Sequence, residues 1–225
     1  MPIFDLIFPK QCLECKRSGK YICNKCIGEM PRLVQCCPQC ERASFEGKTH
    51  RNCKKPLSLD ALFCLWPYKK IMRKAIISMK YKFAKEVAKE LSSVFCDELI
   101  RVKPSYLKEK NTLIPVPISR SRKNWRGFNQ TEVIGEIIAK KFSWEYIPDM
   151  IIKKSRTKPQ TGLKLKERKS NIKGSFILNP KYKNKKYKQI IIFDDVWTTG
   201  STIKEIGKVL KREKTSRVYG LTLAR

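Results

Sequence analysis

The sequence predicts an α/β protein, a mostly parallel sheet flanked by helices, preceded by a short cysteine-rich module. Two observations predict it. The cysteines from Cys12 to Cys53 come in closely spaced pairs, and beyond residue 57 their density collapses. From there on, apolar stretches at helical spacing alternate with short apolar runs of strand length, the pattern of a parallel sheet covered on both faces. A chain of 225 residues, 41% hydrophobic and 31% charged, suits one ordinary globular domain plus a small accessory one. The division expected is 1–57 for the module and 58–225 for the larger domain, with the boundary near Lys54-Lys55-Pro56.

The module comes first. Cys12-x2-Cys15, Cys23-x2-Cys26, Cys37-x2-Cys40 and His50-x2-Cys53 are four evenly spread pairs. An x2 spacing lets a tight turn aim two side chains at one ion, and two such turns complete a tetrahedral site, so two structural zinc ions are expected. Sequential pairing joins Cys12, Cys15, Cys23 and Cys26, then Cys37, Cys40, His50 and Cys53, and needs only short loops. A crossed arrangement of the first pair with the third stays open. Every ligand place is filled, which leaves no position for a substrate water and argues for metal that folds a coreless segment. Cys36 would need x3 spacing to reach Cys40, and Cys64 and Cys96 lie in apolar surroundings, so these three read as free thiols.

Next, Ile71, Ala75, Ile76 and Met79, then Phe83, Val87, Leu91, Val94 and Leu99, recur at helical intervals and predict a helix or helix pair over 69–101. Leu113 to Pro117 reads as a strand closed by prolines into a loop. Asn129 with Glu132 three residues on marks a helix start ahead of Val133, Ile134, Ile137, Ile138 and Phe142. Strands are expected at 149–153, 175–178, 189–193 and 217–223, and a last helix carries Ile203, Ile206, Val209 and Leu210.

The segment Ile190-Ile191-Ile192-Phe193-Asp194-Asp195-Val196-Trp197-Thr198-Thr199-Gly200-Ser201-Thr202 is the most informative. A buried strand ends in two carboxylates, a loop of small residues follows, and a helix begins. Loop amides, hydroxyls and the positive helix end can cradle a phosphate, with Gly200 permitting close approach. Two adjacent carboxylates can accept from vicinal sugar hydroxyls, so together these residues describe a pocket for a ribose 5-phosphate. The segment resembles the signature loop of type I phosphoribosyltransferases, which bind phosphoribosyl pyrophosphate (PRPP). Trp197 stands where that family usually has an aliphatic residue.

The order Pro115-Val116-Pro117, Arg122, Arg126-Gly127-Phe128-Asn129-Gln130, Arg156, Pro159-Gln160, Arg168, Asn171 and Gly174-x-Phe176 resembles the ComF family of competence proteins. The paired cysteines are similar to that family's double zinc ribbon, with His50 where the family usually has Cys. The resemblance covers essentially the whole chain. It implies a type I phosphoribosyltransferase-like domain behind a zinc-ribbon module. It also implies a role in handling single-stranded DNA taken up in natural transformation, with other DNA-uptake or recombination proteins as possible partners. Asp194 and Asp195 would orient the ribose of PRPP and offset positive charge in an oxocarbenium-like transition state. Thr198, Thr199, Gly200, Ser201 and Thr202 would anchor the 5-phosphate, and Mg would neutralise the pyrophosphate. Arg122 and Arg126, in a loop at a strand's carboxyl end, offer forked donors to the pyrophosphate. The alternative is an active phosphoribosyltransferase that passes ribose 5-phosphate from PRPP to a base or amine. The segment Thr157 to Gly174 corresponds by position to the hood that closes over substrate in such enzymes.

The formal charge is +30, which suits an anionic partner or a lysine-rich solvated surface. Its distribution says more. Lys153 to Lys188 holds fourteen basic residues against the single acid Glu167. Arg156, Lys158, Lys164, Lys166, Arg168, Lys169 and Lys173 are therefore the candidate nucleic-acid contacts. Aromatic residues there are few, namely Phe176, Tyr182 and Tyr187, so phosphate contacts are expected to outweigh base stacking. The only histidine stands at a ligand position, which excludes histidine-based triads, and no GxxxxGK[ST] is present for a Walker-type ATPase. Apolar runs fall far short of the ~18 residues of a spanning helix. MPIFDLIFP has no basic n-region, so a cytoplasmic protein without a membrane span is expected.

Overall fold

The structure is a computed structural model that describes residues 9–79, 84–102, 104–154 and 172–225. Its strands are β1 (Ala61–Trp66), β2 (Thr112–Pro115), β3 (Glu145–Tyr146), β4 (Ile151–Lys153), β5 (Phe176–Leu178), β6 (Gln189–Val196) and β7 (Arg217–Ala224). Its α-helices are α1 (Asn24–Gly28), α2 (Lys70–Ser78), α3 (Ala84–Val102), α4 (Arg120–Arg126), α5 (Gln130–Lys141) and α6 (Ser201–Arg212). Five strands form one sheet in the order β1-β7-β6-β2-β3, and every pairing in it is parallel.

Central strand β6 explains the unbroken apolar run. Alternate residues face opposite sides, and both sides are covered. Ile191 and Phe193 join Leu221, Phe95 and Ile138 in one core, while Ile190 and Ile192 join Val218, Ile203, Ile206 and Leu210 in the other. The helix pair forms as α2 and α3, with Phe83 outside the described residues. Asn129 caps α5 as expected, its side chain accepting from Thr131 N at 3.2 Å. Glu132 reaches back to the Asn129 side-chain amide at 3.2 Å.

The structure amends the sequence reading at several points, among them the short strand β3, which was not expected. β1, six consecutive buried residues, has no period-2 signal and was not among the expected strands. β4 and β5 lie outside the parallel sheet as a separate antiparallel pair. Residues Arg120–Arg126, expected as loop, form α4, with Ser119 as N-cap and Gly127 in the left-handed conformation closing it (φ 74°).

The cysteine-rich module covers the free edge of β1. Leu33 N donates to Leu65 O at 3.3 Å, and the Gln35 side chain takes the place of a neighbouring strand. Its Oε1 accepts from Cys64 N at 3.1 Å, and its Nε2 donates to Cys64 O at 2.9 Å. Glu90 on α3 accepts from the backbone N–H groups of Tyr21 and Ile22 at 2.8 and 3.2 Å. Cys12, Ile22, Cys26 and Met30 belong to the same apolar core as α2, α3 and one face of the sheet. Covering the edge removes a row of unpaired backbone groups from solvent. Among the described residues no helix is long and apolar enough to cross a membrane.

Candidate functional site

The sequential pairing is the one the fold assembles. Ligand atoms of Cys12, Cys15, Cys23 and Cys26 all lie within 4.8 Å of one another, and so do those of Cys37, Cys40, His50 and Cys53. The second set tests the departure at His50. His50 Nε2 lies 3.1 Å from Ala43 O, and Nδ1 lies 3.4 Å from Cys40 Sγ. A carbonyl can only accept, so Nε2 carries the proton and Nδ1 presents its lone pair to the cluster, the orientation a metal-ligating histidine needs. The backbone and side chain of Arg42 lower the Cys40 thiol to about 6, favouring the thiolate. Both groups could hold zinc. Cys36, Cys64 and Cys96 stand outside them. Cys36 accepts from Arg225 Nη1 at 2.7 Å, and Cys64 from Thr222 Oγ1 at 3.0 Å.

The second feature sits at the carboxyl end of β6, where ligands bind in open α/β sheets. Asp194 and Asp195 end the strand, Trp197 to Gly200 turn the chain, and α6 begins at Ser201. Burial and the neighbouring Asp195 carboxylate hold the Asp194 carboxyl well above the usual range. Asp194 Oδ1 accepts from Asp195 N at 2.9 Å. Gly200 is the N-cap of α6 in the left-handed conformation (φ 66°, ψ 6°) and supplies no side-chain cap. The first turn of α6 carries no acid, so its positive end is not compensated from within the helix. Thr199 and Ser201 hydroxyls lie 2.7 Å apart beside it. A Cβ on Gly200 would fall 2.1 Å from the Trp197 ring, so glycine is required here twice over, by its positive φ and by the ring beside it.

Of the two expected arginines, Arg126 reaches this site through an intermediary. Arg126 Nη1 donates to Gln130 Oε1 at 3.2 Å, and Gln130 Nε2 donates to Asp195 Oδ2 at 3.0 Å. Gln130 belongs to the Arg126–Gln130 motif, yet its type alone gave no sign that it bonds a carboxylate 65 residues away. Asn129 Nδ2 and Thr131 Oγ1 both donate to Val116 O, at 3.1 and 2.8 Å, which ties the chain leaving β2 to the start of α5. Arg122 is exposed on α4, and the sequence placed it and Arg126 on a loop rather than a helix.

Of the expected nucleic-acid contacts, Arg156, Lys158, Lys164, Lys166, Arg168 and Lys169 lie outside the described residues, as do Gln160 and Asn171. Lys173 is exposed, and the next residue, Gly174, donates its N–H to Glu205 Oε1 on α6 at 2.8 Å. Two cavities, of about 430 and 560 Å³, lie away from Asp194 and Asp195. The first is lined by β5 and α6, the second by residues at the amino ends of β2, β3 and β6.

Fold and site together define an α/β protein with a carboxylate-ended strand and a hydroxyl-lined helix start, joined to a module with two four-ligand clusters. No protein-family model matches the chain. It is 28% identical over 229 residues to Competence protein F of Haemophilus influenzae, covering 97% of this chain and 98% of that protein. It is 27% identical over 228 residues to DNA utilization protein YhgH of Salmonella typhimurium, covering 98% and 99%. With Competence protein ComFC of Bacillus subtilis the identity is 23% over 218 residues, covering 93% and 86%. These relatives, matched over nearly their whole length, support a ComF-family protein of the competence and DNA-utilization type.

Proposed function

We propose that this chain handles single-stranded DNA in natural transformation, with a PRPP-binding site of the phosphoribosyltransferase type at the carboxyl end of β6. In this reading residues 1–57 are the zinc module, residues 58–225 are the PRPP domain, and the protein works in the cytoplasm.

The observation that carries the PRPP reading is the juxtaposition of Asp194 and Asp195 with a helix start whose N-cap, Gly200, supplies no side chain, and at which Thr199 Oγ1 accepts from Ser201 N at 3.4 Å. Asp195, held by Gln130, would accept from one ribose hydroxyl and Asp194 from its neighbour. The backbone N–H groups of the first turn of α6, with the Thr199 and Ser201 hydroxyls, would take the 5-phosphate. Mg, bound together with the substrate, would supply charge neutralisation at the pyrophosphate. Arg126 would steady the carboxylate end of the site through Gln130. The DNA reading rests on the relatives' names and on the basic stretch from Lys153 to Lys188.

Intact Asp194 and Asp195 also favour a second reading, transfer of ribose 5-phosphate from PRPP to a base or amine with release of pyrophosphate. One experiment addresses both readings. PRPP and Mg are titrated calorimetrically into wild type and into the double variant Asp194→Ala, Asp195→Ala, and pyrophosphate release is followed with and without DNA and candidate bases. Binding that the double variant loses, without turnover, supports the binding module. Turnover with one acceptor supports the transferase. Equal affinity in wild type and variant rejects the pocket.

A further inference from the structure

Helix α4 carries an aromatic residue that the fold does not use. The chain has four tryptophans. Trp66, Trp144 and Trp197 are buried, whereas Trp125 is 69% exposed. No residue of α4 is buried, so the helix has no apolar face turned to the core and Trp125 is its one apolar side chain. A single exposed apolar residue is ordinary by itself. The surroundings of Trp125 are not.

Arg120, Arg122, Lys123 and Arg126 share these seven residues with it, and no acid is among them. Lys123 pairs with Glu132 at 3.1 Å. Arg120 and Arg122 have no carboxylate within ion-pair distance among the described residues. The Arg126 guanidinium lies 6.0 Å from the Trp125 ring centroid, and the same residue is tied through Gln130 to Asp195. An exposed indole is thus held among cations on a short helix anchored to the carboxyl end of the sheet. Interleaved cations and a largely exposed aromatic ring suit a strand whose phosphates are charged and whose bases are unpaired, because every base has a π-face while a duplex hides it. An anionic lipid surface shares the charge preference, but lipid binding by a helix needs an apolar face to bury, and α4 offers one side chain.

We infer that Trp125 is a base-stacking residue for single-stranded DNA, flanked by phosphate contacts from Arg120 and Arg122. This rests on the DNA-handling reading and adds to it a stacking contact outside the basic stretch from Lys153 to Lys188.

The test uses the full chain, a thymidine oligonucleotide of about 15 nucleotides, and an abasic oligonucleotide of equal length. Trp125→Ala is expected to weaken thymidine-oligonucleotide binding about tenfold, to leave abasic binding unchanged, and to leave the slope of log affinity against log salt unchanged, since a neutral ring releases no counterions. Trp125→Phe keeps an aromatic face and is expected to stay within about threefold of wild type. Oligonucleotide should quench tryptophan emission in wild type and much less in Trp125→Phe, because the other three indoles are buried. Wild-type binding that Trp125→Ala leaves intact overturns the inference while the DNA reading stands. Equal losses for thymidine and abasic strands overturn it in favour of a structural role. Trp125-dependent binding to phosphatidylglycerol vesicles that the oligonucleotide does not compete overturns it in favour of a membrane. No binding of either strand by wild type overturns the DNA reading together with it.

Discussion

Gln130 Nε2 donates to Asp195 Oδ2 at 3.0 Å, and this one bond fastens the start of α5 to the end of β6. Gln130 is buried, so removing its amide leaves a carboxylate oxygen without its donor. A hydrogen bond to a charged group is worth about 1.5–3 kcal/mol. Gln130→Ala should therefore weaken PRPP binding by about tenfold or more in calorimetry. An affinity equal to wild type would show that Asp195 is oriented without Gln130.

Asp194 gives a prediction with a defined sign. Its carboxyl is raised well above the value of 3.8 for a free aspartate, by burial first and by Asp195 second. The folded state therefore holds a proton that the unfolded state releases at lower pH. Stability falls as pH rises from the unfolded value toward the folded one. Asp194→Asn removes that dependence and keeps an oxygen to accept from Asp195 N. Its melting temperature should match wild type near pH 3.5 and exceed it increasingly above pH 4, while PRPP binding weakens. Parallel pH profiles for the two proteins would refute the assignment.

Gly200 and Trp197 should be coupled. Gly200→Ala meets both a left-handed backbone (φ 66°) and a Cβ placed 2.1 Å from the indole. The backbone costs about 1–2 kcal/mol and the overpacking about 1–3 kcal/mol. Urea denaturation is expected to show a loss of about 2–5 kcal/mol. In a Trp197→Leu background the ring is gone, and only the backbone share of that loss should remain. The same loss in both backgrounds would mean that the ring yields without cost.

The parts of this molecule legible in the sequence are those with a strong local code. The four ligand pairs, the run from Ile190 to Phe193 with its two carboxylates, and the Asn129–Glu132 helix start each carry their signal within a few residues. β1 was not legible because Ala61 to Trp66 is buried throughout and has neither alternation nor length to separate it from a core helix segment. The antiparallel pairing of β4 with β5 depends on strands separated by residues 154–175, and nothing local specifies a partner. α4 escaped because its polar sequence has no periodic apolar stripe. Its Ser119 cap and Gly127 terminus were the available signs. The Gln130–Asp195 bond spans 65 residues and exists only once the parallel sheet has formed.

The basic stretch from Lys153 to Lys188 separates a functional surface from a lysine-rich composition. If its cations neutralise phosphates, log affinity for single-stranded DNA should fall linearly with log salt, with a slope of about −0.7 per phosphate contacted. Charge reversal at Lys158, Lys164 and Lys173 should then cost far more affinity than reversal of three lysines on α2 and α3. Equal losses would reduce the binding to diffuse attraction toward a +30 protein.

Metal removal should reach beyond the module that holds the metal. Protein prepared without chelator is expected to carry about two zinc ions per chain, and His50→Ala about one. Either cluster emptied leaves four side chains with nothing to hold them together, and a short segment with so small a core of its own does not stay folded. Here the consequence passes to the sheet, because Cys12 and Cys26 belong to its core and the Gln35 amide bonds both backbone groups of Cys64 on β1. Chelation should therefore release the Cys64 amide to rapid hydrogen exchange and expose β1 as an open edge, with aggregation following at higher protein concentration. Cys12→Ser should loosen the bonds from Tyr21 and Ile22 to Glu90 on α3 in the same way, and β6, in the middle of the sheet, should be the last strand to lose protection. Exchange at Cys64 that chelation leaves unchanged would show that the sheet edge holds without the module, and that zinc serves the amino-terminal segment alone.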